Sequence, residues 1–452
     1  MNRLKNLWIN LRESFWFLPT VIVAFSTVLA VGLIEVDSSG KREWMDSWPR
    51  LFGANAEGAR GMLATIAGSI MTVVGVTFSM TVVTLALASS QYSSRILRSF
   101  MSDHATQVVL GIFAGIFTYC LIVLRAIREG EAGGFVPSLS VAFGVVLAIG
   151  GIGTLIFFIH HIASSIQASS IIASVTKETL LAVDRMFPEM LGREPMDDEA
   201  DLSGLPVPTR NWQAVMAPRN GYLQDVDQAA LLGLAREHKT IVRMDRGIGE
   251  FVVQNTPLAS LALENPPGQE IRATLHAAYS IDRNRTVYQD CAFGIRQLVD
   301  MALRALSPGI NDTTTAVMCV DYLTAILARL ASRKIPSSRR HEDGELRVIA
   351  IGQTFASLLA ESFDEIRGSA GGNVALLLRM LDALQTIASL TDSPSRRRLL
   401  REQAECIAEL AKRSIESPHD QARFEVRLGQ AREALQTTYR STQEQPRQPT
   451  KV

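Results

Sequence analysis

The chain is 452 residues long and carries 45 Lys and Arg against 45 Asp and Glu, so its formal net charge is zero. That balance excludes nucleic-acid binding driven by a basic surface, and the length allows about two to four domains. Hydrophobic residues make up 47% of the chain, and the long apolar runs crowd into its first 165 residues.

A bilayer core about 30 Å thick takes about 20 mostly apolar helical residues. Four segments meet that requirement: residues 15–34, 61–89, 107–127 and 137–163. Residues 1–187 are therefore read as a transmembrane domain with four spans and a helical extension. The first span is too long for the core of a typical signal peptide and no A-x-A site follows it, so it is kept as a span. Four spans put both termini on one side. The Lys and Arg counts of the short loops are nearly balanced. Trp44 and Trp48 in the first loop suit a membrane interface. The expectation is a bacterial inner-membrane protein with both termini and the soluble region in the cytoplasm.

The second span has more polar groups than anchoring requires. Thr65, Ser69, Thr72 and Ser79 share one helical face, which Ser90 and Ser94 extend. Gly61, Gly68 and Gly75 flank it at seven-residue intervals, and Thr77, Thr81 and Thr84 form a second stripe. Small residues and hydroxyls suit close helix packing. The same hydroxyl face also suits the lining of a pore. No charged residue lies in the middle of the span, which argues against an ion-coupled transporter.

The fourth span ends at His160 and His161. Adjacent helix positions point about 100° apart, so the two do not chelate one metal in the usual i, i+4 manner and read as interfacial. The helical pattern continues without a breaker to Phe187, before Pro188.

Residues 188–207 are rich in Pro, Asp and Gly and read as a linker. Alternating strand patterns with turn glycines follow over 208–270. This stretch resembles a small barrel-sandwich module of the biotinyl/lipoyl type in "RNGYLQDVD" and "RGIGEFVVQNTPLASL". A swinging-arm carrier of that type would hold its lysine in a tight hairpin. Here the helical "QAALLGLAREH" fills the interval and Lys239 lies beyond it, so a carrier role is rejected and assembly or docking is expected.

Residues 271–438 are read as an α-helical soluble domain. In its first long helix Val287, Cys291, Ile295, Leu298, Ala302 and Leu306 form an apolar face, opposite Arg285, Gln289, Arg296 and Asp300. Then comes "SPGINDTTTA". Ser307 precedes Pro308, which disfavours helix; Gly309 supplies turn freedom; Asn311 or Asp312 caps the next helix. The stretch is first a helix–turn–helix corner. Its alternative is a ligand site at Asn311 and Asp312, open to a cation or a partner's donor group, with Arg296 and Asp300 as neighbours. Further helices are expected at 344–367, 373–390, 394–417 and 419–438, with "SSRRHEDG" as one separator and a disordered tail at 439–452. The four cysteines are scattered and read as buried free thiols.

Four stretches together carry a wider resemblance: "VTFSMTVVTLALASSQYSSRILRSFM", "FIHHIASSIQ", "GYLQDVD" and "RALSPGINDTTTA". In these the chain resembles a bacterial family of predicted membrane proteins, domain-of-unknown-function family 2254. The family pattern usually places proline directly after Asn-Asp, where this chain has Thr313. Either residue starts a helix acceptably. The resemblance implies membrane topology and brings no established activity.

The expected fold class is mainly α: a four-helix transmembrane domain, a small β barrel-sandwich-like module and a cytoplasmic α-helical domain. The expected function is an oligomeric, channel-like pore lined by the second span, with the soluble part as gate or scaffold. The alternative is a non-transporting scaffold or sensor that recruits partners. No nucleotide loop, zinc spacing, nucleophile elbow or HExxH motif is present, so neither an enzyme nor a cofactor is expected. The expected partners are the lipid bilayer and further copies of the chain, with the ion or small ligand left unnamed.

Overall fold

The computed structural model describes residues 16–39, 55–91, 103–128, 135–187 and 211–436. The expected linker at 188–207, the loop with Trp44 and Trp48 and the tail at 439–452 lie outside the described residues. The chain is mainly helical, with a small sheet region. It divides into two compact units, Met1–Ser170 and Ile171–Val452.

The first unit holds α1 (Phe17–Ser38), α2 (Ala56–Gln91), α3 (His104–Ala126) and α4 (Ser138–Ser165). The apolar runs dictate these helices, because only a fully hydrogen-bonded backbone is stable in hydrocarbon. α3 packs against the other three. Small residues on α3 bring α1 close: a Cβ at Gly111 would stand 3.0 Å from Pro19 Cα, and one at Gly115 2.5 Å from Ser26 Oγ. Phe113, Tyr119, Cys120 and Leu63 centre the core.

The helix ends are tied by polar groups. Asp103 caps α3, taking the N–H groups of Ala105 and Thr106. α4 has no side-chain cap of its own at Pro137. Asp37, from the last turn of α1, supplies it by accepting the N–H groups of Leu139 and Ser140 at 3.1 and 2.9 Å. At the same end Arg60 Nη2 donates to the Ile127 carbonyl at 3.1 Å.

Five helices are long and apolar enough to cross a membrane: α1, residues Ala56–Leu87 of α2, α3, α4, and Thr313–Ala331 in the second unit. The fifth has a mean hydropathy of 1.4, against 2.1 or more for the others, because Asp321 and Arg329 fall within it.

The expected unbroken helix from the fourth span to Phe187 is corrected. α4 ends at Ser165, Ile166 and Gln167 form a turn, and α5 (Ala168–Met186) begins anew. The Ser165 hydroxyl turns back to the His161 carbonyl at 2.7 Å, a local competitor with the backbone ladder.

The second unit combines two sheets with the remaining helices. Its strands are β1 (Trp212–Met216), β2 (Gly221–Val226), β3 (Val242–Met244), β4 (Phe251–Val252), β5 (Pro257–Ala262), β6 (Tyr279–Asp282), β7 (Arg339–Glu342) and β8 (Glu345–Ile349). One sheet runs β1-β5-β3-β8-β7 and the other β4-β2-β6. Helices α6 (Gln228–Glu237) and α7 (Gln269–Ala278) complete this region. Leu223, Leu231, Val242, Leu261 and Leu275 form its core.

Two strand sets correct the sequence reading. β6 lies within the region read as helical and pairs with β2. The stretch read as a separator and a helix from Gly344 is the hairpin β7–β8, whose second strand pairs in parallel with β3. Asp343 and Gly344, with φ of 53° and 77°, make the tight turn that a two-residue hairpin demands.

The remaining helices are α8 (Cys291–Ala305), α9 (Thr313–Ala331), α10 (Phe355–Ser369), α11 (Val374–Ala388), α12 (Pro394–Ser414) and α13 (Pro418–Gln436). A Cβ at Gly294 of α8 would stand 1.9 Å from Thr179 Oγ1 of α5, so glycine permits that helix contact. Asp184 of α5 pairs with Arg329 and Arg333 at 2.8 and 2.7 Å. Two buried arginines of α12 end other helices. Arg396 donates to the carbonyls of Leu330, Ala331 and Arg333, and Arg397 to those of Thr391 and Ala388.

Candidate functional site

α2 carries two faces of different character. Ala59, Leu63, Ala67, Ile70, Thr77 and Thr84 are buried and form the face that packs inside the unit. On the opposite side Thr65, Ser69, Thr72 and Ser79 are all exposed. Thr65 and Thr72 donate their hydroxyls to the carbonyls of Gly61 and Gly68 at 2.8 and 3.1 Å. A Cβ at Gly61, Gly68 or Gly75 would meet nothing within 4 Å. The single chain therefore leaves this small-residue, hydroxyl-bearing face open along much of the helix. Ser90 and Ser94 lie outside the described side chains.

The packed side of α2 becomes polar toward one end. Two layers, one heptad apart, run through α2, α3 and α4. In the first, a Cβ at Gly144 would touch Leu63 at 3.1 Å and Tyr119 at 3.6 Å. In the second, a Cβ at Gly151 would touch Ile116, Ile70 and Phe113 at 3.2, 3.4 and 3.9 Å. Further along the same helices stand Thr77 of α2, Phe158 of α4 and, near the start of α3, Thr106. All three are buried. The Thr77 hydroxyl has no hydrogen-bond partner among the described residues.

At the start of α3 stands a carboxylate–imidazole pair that the sequence reading missed. His161 Nε2 lies 2.8 Å from Asp103 Oδ2, and Thr106 Oγ1 donates to the same oxygen at 2.6 Å. Burial acts to raise the Asp103 pKa, but the hydrogen bonds from Thr106 and His161 outweigh it and hold the carboxyl below its ordinary value. An Asp three residues before Thr is a legible helix cap, and "FIHHIA" is a legible span end. Their meeting across 58 residues is not.

In the second unit the corner is built by backbone bonds. The N–H groups of Ile310 and Asn311 donate to the Ser307 carbonyl, and that of Asp312 to the Ala305 carbonyl at 2.8 Å. Asp312 caps α9 through the N–H and hydroxyl of Thr315 at 3.0 and 2.6 Å. Those bonds hold its carboxyl below the usual range. The left-handed residue is Asn311, with φ of 51°, and not Gly309; Asn tolerates that region better than most side chains. Pro308, Gly309, Asn311 and Asp312 are exposed or nearly so, and Ser307 is half-buried.

Arg296 and Asp300 belong to a different contact. Arg296 donates to Asp300 at 2.7 Å and pairs with Glu361 and Glu365 of α10. The polar stripe opposite the apolar face of α8 is thus partly a helix contact. Arg285 pairs with the buried Asp290 at 2.8 Å, and Gln289 accepts the Val226 N–H.

Among the described residues no group of three His, Cys, Asp or Glu could hold one metal ion. Burial pushes the thiols of Cys291 and Cys319 up to about 12, so neither supplies a thiolate near neutral pH.

Comparison with known proteins places the chain. The family model described as "Predicted membrane protein (DUF2254)" matches residues 12–386. The chain is 33% identical to the uncharacterized protein Rv1290c of Mycobacterium tuberculosis and to the uncharacterized protein Mb1321c of Mycobacterium bovis. Each match spans 450 residues, 97% of this chain and 84% of the relative. No solved structure matches the chain. Its apolar helices and its match over most of its length agree: the protein belongs to the DUF2254 family of predicted membrane proteins.

Proposed function

We propose that the protein is a multi-pass inner-membrane protein that assembles from several copies around a channel-like pore. The outer face of α2 turns to the shared axis, and the soluble unit serves as a cytoplasmic scaffold or gate. One observation carries this reading: Thr65, Ser69, Thr72 and Ser79, with Gly61, Gly68 and Gly75 beside them, stay open in the single chain while the opposite face packs. Hydroxyls and small residues gain most where helices meet or where they line water, and least against lipid tails.

In this reading α1 to α4 cross the bilayer and α9 does not. Asp321 of α9 pairs with Arg379, and Arg329 pairs with Asp184. Such charges are costly in hydrocarbon. Four crossings keep both termini in the cytoplasm. No reaction and no cofactor are assigned to the protein.

The test is conductance of the purified full-length protein in planar bilayers. Replacing Ser69 or Thr72 by Trp should reduce the current several-fold while the oligomer persists. Well-folded oligomers with only leak current, or with current indifferent to both substitutions, would overturn the pore.

A second reading rests on the Ser307–Asp312 corner, where Ile310 is 48% exposed. A non-transporting scaffold would use it to hold a partner. Partner capture that depends on Ile310 and Asn311, without conductance, would favour that reading.

A further inference from the structure

The five-stranded sheet of the second unit ends in β1 on one side and β7 on the other. An edge strand presents unpaired backbone groups, and proteins blunt such edges with charges and bulges. β7 is blunted in both ways. It reads Arg339-Arg340-His341-Glu342, and its ladder shifts between Arg340 and His341. β1 carries no such charge. Residues 211–217 read NWQAVMA, without a charged residue or a proline, and the register shift lies at the far end, between Val215 and Met216.

The ladder fixes which backbone groups of β1 face outward. Asp245 donates its N–H to the Leu258 carbonyl at 3.1 Å, and Ala262 donates to the Ile241 carbonyl at 3.0 Å. Hydrogen-bonded pairs alternate along an antiparallel ladder. Leu258, Ser260 and Ala262 of β5 therefore turn their backbone groups to β3, and Ala259 and Leu261 turn theirs to β1. Opposite these last two stand Val215 and Gln213. That leaves the backbone groups of Trp212, Ala214 and Met216 on the outer side. The Met216 carbonyl is met there by His276 Nε2 of α7 at 2.9 Å. The N–H and C=O groups of Trp212 and Ala214 have no partner among the described residues. Ala214 is exposed, and the Arg243 guanidinium, 4.4 Å from the Trp212 ring centre, steadies the start of the strand.

We propose that β1 pairs antiparallel with β1 of a second copy of the chain, Trp212 of each facing Ala214 of the other. Each copy offers two outward N–H and two outward C=O groups at these residues, so this register makes four backbone hydrogen bonds and leaves Met216 to His276. A twofold axis then passes through Gln213. No like charges meet across the pair, because the strand has none. One strand pair buries less than the roughly 1,200 Å² of a self-sufficient dimer. Copies held in one bilayer need less, because they meet at high effective concentration. The contact needs two copies in one membrane and no pore, so it stands apart from the role of α2.

Disulfide trapping of the full-length protein in membrane vesicles tests the pairing. Q213C puts a thiol on the axis, where the Cα atoms of a non-hydrogen-bonded pair lie about 4.5 Å apart, within disulfide range. The native thiols are buried or half-buried, and the wild type gives the background. Under mild oxidation Q213C should form a covalent dimer several-fold above that of A422C, an exposed position on α13. A214P removes one outward N–H and spares the ladder to β5, a change that edge strands tolerate. Added to Q213C, it should cut the dimer several-fold. A Q213C dimer no more abundant than that of A422C would overturn the proposal. So would a dimer undiminished by A214P, or a Q213C disulfide to a different protein in place of the dimer. If A214P unfolds the unit, the comparison of Q213C with A422C decides by itself.

Discussion

Asp37 and Ser140 meet across 103 residues: the Asp37 carboxylate accepts the Ser140 N–H at 2.9 Å and its hydroxyl at 2.7 Å. The last turn of α1 thereby caps the first turn of α4, where Pro137 has no capping side chain. The carboxylate also faces the positive end of the α4 dipole.

Replacing Asp37 by Ala should therefore destabilise the membrane unit by about 1–2 kcal/mol, the usual cost of a lost helix cap. D37N, which keeps an acceptor, should lose less. Unfolding of the full-length protein in detergent measures both. Equal stability of D37A and the wild type would remove the capping role.

The contact of α5 with α8 depends on Gly294. A methyl group there would collide with Thr179, and Thr179 is anchored by its hydroxyl to the Val175 carbonyl at 2.7 Å. G294A should cost about 1–3 kcal/mol by overpacking. T179A removes part of the obstruction, so the double variant should recover part of that loss. Strict additivity in the double-mutant cycle would mean that the two residues do not meet.

Arg396 closes the end of α9 with one guanidinium nitrogen, 3.1–3.2 Å from three carbonyls. Each bond from a charged donor to a buried carbonyl is worth more than a neutral one. R396M should destabilise the second unit by about 2–4 kcal/mol, because it leaves buried acceptors unsatisfied. R396K should restore only part, since an ammonium lacks the planar fork. Denaturant titration of the full chain, followed by tryptophan fluorescence, reads this difference.

Acid should weaken the second unit through Asp184 and Asp312. Hydrogen bonds from Arg329 hold the Asp184 carboxyl below its usual range, and those from Thr315 do the same for Asp312. A carboxyl whose pKa is lower folded than unfolded binds fewer protons when folded. Its stabilisation is full above the unfolded value of about 4 and is lost as pH falls through the folded value. These two groups should leave stability flat between about pH 7 and pH 5 and reduce it below about pH 4. D184N should show a shallower acid limb; an unchanged limb would exclude Asp184 as a source.

Much of the local architecture is legible in the residues. The four long apolar runs read as α1 to α4 because a helix with hydropathy sustained over a bilayer's width finds its apolar surroundings in lipid. Asn311 or Asp312 reads as a cap because a short polar side chain accepts the free N–H groups of a helix start, and the structure gives that role to Asp312. The hairpin at Arg339–Ile349 is within reach of the sequence: Asp-Gly between alternating residues is a hairpin signal. It reads as a helix start only when the apolar residues after Gly344 are counted without their alternation. The fifth apolar helix shows the opposite limit, since composition by itself does not say whether a half-apolar helix meets lipid or protein.

Apolar length, periodicity, caps and turn residues are legible from residue order, because each is a property of neighbours along the chain. Tertiary structure alone decided which polar groups meet. Asp37 reaches Ser140, Asp103 reaches His161, and Thr77 turns inward while Ser69 turns outward. Helix periodicity puts Ser69 and Thr77 on different faces of α2, but only packing against α3 and α4 decides which face is buried. The energy of a hydrogen bond or a packed layer depends on distance in space, and that distance is set when the helices dock.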